Sequence, residues 1–425
     1  MIKTLKNAWG IPELRKKILF TLMILMLFRI GNVIPVPYID VKMLGDYFDT
    51  TLSNTILGLY NAMSGSAFSQ ATVFALGIQP YINASIIIQL LTIAIPALEK
   101  LAKEGGEDGK KKIERITRYS TVGIGLLMGW AYYTMLVNYG KGGYAIITKE
   151  GFLPALVIIL AFTAGSAVVM WLGEQITEHG IGNGISMILF ANIVSRLPAM
   201  LNSSLALGWM ALIVLVGAAA LILFIIFIND AERRIPIQYA KRVVGRKIYG
   251  GQNTNLPIKV AMSGVMPVIF AQSICSLPAT IATFMGKTAE NSWWYRNIWS
   301  SESWVYCVLY GLMIFFFSWF YSTIQYDPVE IANNLKKNGG FIPGFRPGKP
   351  TADFIKKVIN KIVVFGAVYL TIVALMPIVA GNLIEGVKNL AIGGTSIIIV
   401  LGVALETVKA LEAQMLMRHY KGFLD

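Results

Sequence analysis

Few side chains in this chain are of a type and spacing that could carry catalysis. Glu104–Lys110 (EGGEDGK) approaches the phosphate-binding pattern GxxxxGK[ST]. It fails because Glu104 stands where the first glycine belongs, and Lys111 stands where Ser or Thr should hold magnesium. Gly180-Ile181-Gly182-Asn183-Gly184 is not a dinucleotide fingerprint, since no strand precedes it; it reads as a tight turn between two helices. His179 and His419 are the only histidines, so there is neither zinc spacing nor a histidine triad, and no metal or cofactor is expected. Cys275 and Cys307 lie inside apolar runs and read as small core residues. The chain is therefore not expected to be an enzyme, and any uphill movement it supports must draw energy from elsewhere.

What surrounds these residues is more telling. The chain has 425 residues, 55% hydrophobic and only 14% charged, whereas a soluble protein carries about 25% charge. The apolar residues fall in long blocks, as expected where every lipid-facing backbone group must be bonded within its own helix. Ten spans are expected, at 18–37, 72–98, 119–139, 153–173, 185–201, 208–229, 260–282, 303–324, 362–381 and 394–412. The first is read as a retained span, because no small-residue cleavage site follows it.

Charge placement tests that count. With the N-terminus inside, the inner segments 1–17, 99–118, 174–184, 230–259, 325–361 and 413–425 hold 28 of the 37 Lys and Arg residues, and the outer loops hold 6. The excess puts both termini in the cytoplasm. Ten spans divide into two sets of five, 1–207 and 208–425, and because five is odd any repeat between them must be inverted in the membrane. The spans are nearly free of charge. Arg29 is expected to snorkel outward, and Glu406 and Lys409 to reach the inner interface. A missing buried acid argues against the other reading of such a chain, a secondary small-molecule transporter.

Three loops are unusual. The first outer loop, 38–71, mixes Ile56, Leu57, Leu59 and Met63 with Gly58, Gly65 and small polar residues, which suits a short helix folding back into the membrane from outside. The inner loops 230–259 and 325–361 are long and basic.

Several motifs resemble the SecY family of protein-conducting channels: Phe74–Thr92 (FALGIQPYINASIIIQLLT), Trp171–Ser186 (WLGEQITEHGIGNGIS), Phe341–Gly348 (FIPGFRPG) and Gly393–Ser396 (GGTS), with smaller matches at Phe28–Gly31, Tyr239–Arg242 and Asn333–Lys337. They occur in family order along essentially the whole chain. The resemblance implies an all-α fold of ten transmembrane helices, an inverted five-plus-five repeat around an hourglass pore. It implies a passive pore in the bacterial cytoplasmic membrane that passes unfolded secretory preproteins and releases transmembrane segments sideways into membrane lipid. Companion subunits SecE and SecG, the SecA ATPase, the ribosome through its RNA, and signal sequences are the partners so implied.

The resemblance also carries residues. It places the pore ring at Ile78, Ile82, Ile185, Leu189, Ile269 and Ile399. The pairs 78/82 and 185/189 are four apart and share a helix face; a ring of branched alkyl groups offers no ligand to an ion and gates by dewetting. The plug maps to about Thr55–Gln70, with Thr55, Gly58, Met63, Gly65 and Phe68 in it. Gln89, Gln272 and Ser273 fall on the helices flanking a lateral gate. Arg346 in one basic loop, and Lys241, Arg242, Arg246 and Lys247 at the tip of the other, map to the docking surface for SecA and the ribosome.

Overall fold

The computed structural model describes residues 2–48, 61, 64–140, 146–149, 151–205, 210–239, 242–244, 247–249, 253–261, 264–284, 293, 295–299, 303–383 and 393–421. Each of the ten apolar blocks overlaps a described helix. In chain order they are α2 (Pro12–Gly31), α4 (Gln79–Ala94), α6 (Gly106–Gly140), α7 (Phe152–His179), α8 (Gly184–Leu205), α9 (Met210–Asp230), α10 (Met266–Phe284), α11 (Trp304–Gln325), α13 (Lys349–Leu383) and α14 (Gly393–Lys421). Four shorter helices, α1 (Ile2–Trp9), α3 (Val41–Tyr47), α5 (Pro96–Glu104) and α12 (Pro328–Lys337), sit in the terminal or connecting segments. Among the described residues, four helices are long and apolar enough to cross a membrane, or five if the bent pair α4–α5 is one span. Of the others, α4 has 16 residues, α8 contains Pro198, and α2 carries Glu13 in its first turn and Arg29 in its last.

Local chemistry moves two of the expected boundaries. The first span ends at Gly31 rather than at 37. The second does not start at 72: residues 73–78 are turns, Gly77 takes a left-handed φ of 53°, and helix α4 begins with Pro80 in its first turn. Its far end breaks at Ile95. Pro96 pushes the residue before it to extended geometry, here φ −107° and ψ 112°, and the axis bends by 105°. The Gly180–Asn183 turn is as expected. Asn183 Oδ1 caps α8 by accepting from the backbone N–H groups of Ile185 and Ser186.

Loops assigned to the same side of the membrane meet one another. On the side assigned outside, the first loop pairs with the loop before α7: Asp40 N–H donates to the Ile146 carbonyl and Thr148 N–H to the Tyr38 carbonyl. On the other side, α1 packs on α14, with Thr4 Oγ1 donating to Glu412 at 3.0 Å. Lys409 pairs with Asp230 at 3.0 Å, and Arg118 with Glu174 at 2.8 Å.

The all-α expectation needs one correction. The two basic loops are not plain loops. β1 (Glu232–Tyr239) pairs antiparallel with β4 (Asn253–Lys259), from Glu232↔Lys259 to Gln238↔Asn253. Between them β2 (Arg242–Val244) and β3 (Lys247–Tyr249) form a small hairpin. From the second loop, β5 (Gly340–Phe341) adds to the other edge of β1 at Gln238 and Tyr239, giving the order β4-β1-β5. Alternation along β1 buries Ile235 and Ile237. They join Ile258, Leu335, Ile342, Ile355 and Ile359 in a core separate from that of the helical bundle. The two loops are one folded platform.

Candidate functional site

The main core contains five of the six proposed ring positions as buried side chains: Ile78, Ile82, Leu189, Ile269 and Ile399. Ile185 is partly buried against the same cluster. A cavity of about 150 Å³ opens between α4, α8 and α10, and Ile82, Ile185, Leu189 and Ile269 all line it. Ile78 and Ile399 are packed nearby without lining that cavity. The remaining walls include Tyr81, Ser85, Asn183 and Ser186, which motif reasoning missed. Their signal was available: Ser85 lies three residues from Ile82 and Ser186 three from Leu189, so each shares its neighbour's helix face.

The outer side of the bundle is built differently. Of the proposed plug residues, Thr55, Gly58 and Met63 lie outside the described residues; Gly65 and Phe68 lie within them. Within the described part, Asn61 is helical and 64–70 form turns. Phe68 is buried, edge-on to Tyr132 with ring centroids 4.6 Å apart, and its carbonyl accepts from Tyr132 Oη at 2.5 Å. Ser64 Oγ donates to the Asn61 carbonyl and accepts from Phe68 N–H, while Asn61 Oδ1 accepts from Ser69 N–H. Three residues here have positive φ: Gly65 at 68°, Ser66 at 72° and Ala71 at 43°. For the two that carry a Cβ this costs about 1–3 kcal/mol each, and such strain gathers at functional segments.

Arg29 corrects an expectation. It does not snorkel outward: its guanidinium Nη2 donates to the Ala191 carbonyl of α8 at 2.6 Å. Beside it, Asn32 Nδ2 reaches both the Ser64 carbonyl and Asn192 Oδ1 at 3.4 Å. Asn192 lies seven residues after Ile185 and three after Leu189, on the same helix face. A single face of α8 thus runs from the cavity wall to this polar cluster.

Gln272 and Ser273 are buried on α10, and Gln89 is half-buried on α4. Helix α10 lies against both α4 and α6, so these residues sit on helices in contact. At the platform, Lys241 and Arg246 lie outside the described residues. Arg242 and Lys247 are in the β2–β3 hairpin, in register with Tyr249 and Val244. Arg346 is exposed after β5. Its carbonyl accepts from Thr351 Oγ1 at 2.8 Å, and the neighbouring Phe345 stacks on Phe354 at 4.2 Å. That pins the backbone and leaves the guanidinium to solvent.

A bundle of apolar helices, with a largely apolar cavity between three of them and a basic folded platform beside it, defines the class of polytopic helical membrane proteins. Comparison with known proteins makes this specific. The SecY family model matches residues 72–408. The protein translocase subunit SecY of Streptomyces scabiei is 43% identical over 441 residues, covering all of both chains. Among solved structures, one described as showing that the plug domain of the SecY protein stabilises the closed state of the translocation channel and maintains a membrane seal matches with TM-score 0.66 and 17% identity, over 97% of each chain. Sec61 in the canine ribosome-channel complex from the endoplasmic reticulum matches with TM-score 0.63 and 16% identity, again over 97% of each. The chain belongs to the SecY family.

Proposed function

We propose that this chain is the protein-conducting channel of a bacterial Sec translocase, passing unfolded secretory polypeptides across the cytoplasmic membrane and releasing transmembrane segments laterally into lipid. The observation that carries it is the convergence of Ile82, Ile185, Leu189 and Ile269, from three helices, on one cavity in a chain similar over its full length to translocase subunits. With Ile78 and Ile399 they form the ring, and residues 55–70 the plug. The chain crosses the membrane ten times as an inverted repeat of 1–207 and 208–425, with both termini cytoplasmic. SecE and SecG complete the complex. Gln89, Gln272 and Ser273 line the lateral gate where a signal sequence enters. Hydrogen bonds between membrane helices average below about 1 kcal/mol, so apolar surface offered by a signal sequence can displace them. Arg346 and the β2–β3 hairpin on the folded platform dock SecA or the ribosome, the latter through RNA phosphates; a ribosome-bound relative of the same fold supports this. A small-molecule transporter would need an acid or base facing its pocket, whereas alkyl, thioether, aromatic, hydroxyl and amide groups are the described lining of this cavity.

The test is cross-linking. A cysteine at each ring position in turn is paired with cysteines in a stalled secretory substrate. Disulfides at several ring positions support the pore; none at any position refutes it. For the platform, Arg346→Glu abolishes SecA-driven transport while the channel still inserts and purifies normally. Unimpaired transport removes the docking role.

A further inference from the structure

We propose that Arg29, Asn32 and Asn192 form a polar latch that holds the closing residues 64–69 in their seat, and so set how readily the idle channel opens. This rests on the channel reading above. Residues 64–69 are wired to Asn61 and to one another through Asn61 and Ser64. Besides the ring contact of Phe68 with Phe48, two sets of hydrogen bonds tie them to the bundle. One is Tyr132 on the Phe68 carbonyl. The other is the cluster where α2 and α8 meet, in which Asn32 Nδ2 spans the Ser64 carbonyl and Asn192 Oδ1 and Arg29 ties α2 to the Ala191 carbonyl. Gly65 fits against this cluster closely. A Cβ added there would lie 2.9 Å from Asn192 Oδ1 and 3.1 Å from an Arg29 guanidinium nitrogen, at a φ of 68° that L side chains rarely adopt.

Two features make this a catch that releases. Both Asn32 bonds are long, at 3.4 Å, and Asn32 Oδ1 is buried with no hydrogen-bond partner among the described residues. A seat with an unpaid acceptor is held less firmly than a fully paired one. When the segment leaves and the passage floods, water replaces the lost partners and satisfies that acceptor, so the exchange is nearly balanced. An apolar seat has no such compensation. Because the ring face of α8 continues into Asn192, a polypeptide that displaces Ile185 and Leu189 moves the helix carrying the latch.

The experiment uses the full chain reconstituted with its companion subunits in planar bilayers, with the ionic conductance of idle channels as readout. Asn32→Ala, Asn192→Ala and Gly65→Ala are each expected to raise the open probability about tenfold, the scale of one buried hydrogen bond. Arg29→Ala does the same, and Arg29→Lys restores part of the closure. Asn32→Ala with Asn192→Ala opens the channel by less than the product of the two single effects, because they share one bond; two independent weakenings would multiply. Where an alanine variant does not purify as a monodisperse protein, Asn32→Ser or Asn192→Ser replaces it. Gly65→Ala lies outside the helices, so its result stands by itself. Open probabilities within about twofold of the unaltered channel for all folded variants overturn the latch. If ring cysteines of the unaltered channel still cross-link to substrate in that case, the channel reading survives. If they do not, it is the channel reading that fails.

Discussion

Isoleucine builds both the wall of the central cavity and the core of the basic platform, and the two uses are opposite. In the platform, Ile235, Ile237 and Ile258 pack with Ile355 and Ile359 in one sheet–helix core. Backbone ladders fix that geometry from Glu232↔Lys259 onward. In the bundle, Ile82, Ile185 and Ile269 converge from three helices on an open volume, and no ladder joins those helices. The first arrangement makes a rigid handle. The second leaves an open volume between helices that no backbone ladder joins. One residue type serves both because branched alkyl groups carry no directional bond, so the backbone decides whether they lock or slide.

Ile355→Asp breaks the platform side most severely. Ile355 is fully buried, and an unpaired carboxylate there costs more than about 4 kcal/mol. Limited proteolysis should cut segment 232–259 rapidly while the helical bundle stays monodisperse in detergent. If the bundle unfolds with the platform, the two cores are one cooperative unit and the contrast is wrong. Leu189→Ala tests the other side. Leu189 is 1% exposed yet borders the cavity, so its truncation is expected to cost about 2–3 kcal/mol, the low end for a buried leucine. Idle ion conductance should rise with it. A thermal destabilisation as large as that of Ile359→Ala, with conductance unchanged, would make the ring ordinary core.

The bundle was legible in the sequence and the platform was not, for a physical reason. Ten apolar blocks are strong signals, because hydrophobicity over some twenty residues has few other causes. The strands of the platform are short, and prolines interrupt them. Pro236 sits in the middle strand and Pro257 in an edge strand, which demotes both by pattern. Pro236 is tolerated because β5 covers β1 only at Gln238 and Tyr239, leaving the missing N–H on an uncovered edge. The ring expectation came from the family resemblance and the four-residue spacing agreed with it; four of its six positions line one cavity. The polar cluster at Arg29 was missed although its signal was present. An arginine within a span with an asparagine three residues on is a site by default. Snorkelling was the wrong expectation because the carbonyl of Ala191 comes within 2.6 Å, a neighbour that lies 162 residues away in sequence and that no local pattern reveals.

The smallest expected effect lies where bundle and platform join. Lys409 of α14 pairs with Asp230, the last residue of α9 before β1, at 3.0 Å, with side chains 38% and 58% exposed. The pair looks like a strut between a moving wall and a fixed handle. Its exposure argues otherwise. An ion pair this open to water is worth roughly 0.2–1 kcal/mol and weakens further with salt. The Lys409 ammonium also approaches the Asn229 carbonyl, at 3.5 Å, so removing the carboxylate leaves it an acceptor. Asp230→Asn and Lys409→Gln, alone and together, should therefore show a coupling below about 1 kcal/mol in thermal unfolding, vanishing at high salt. A larger, salt-independent coupling would mean that the handle is fastened to the wall by a specific contact. The covalent turn at Ala231 would then not be their main mechanical link here, and the sealing helices could not move without the platform.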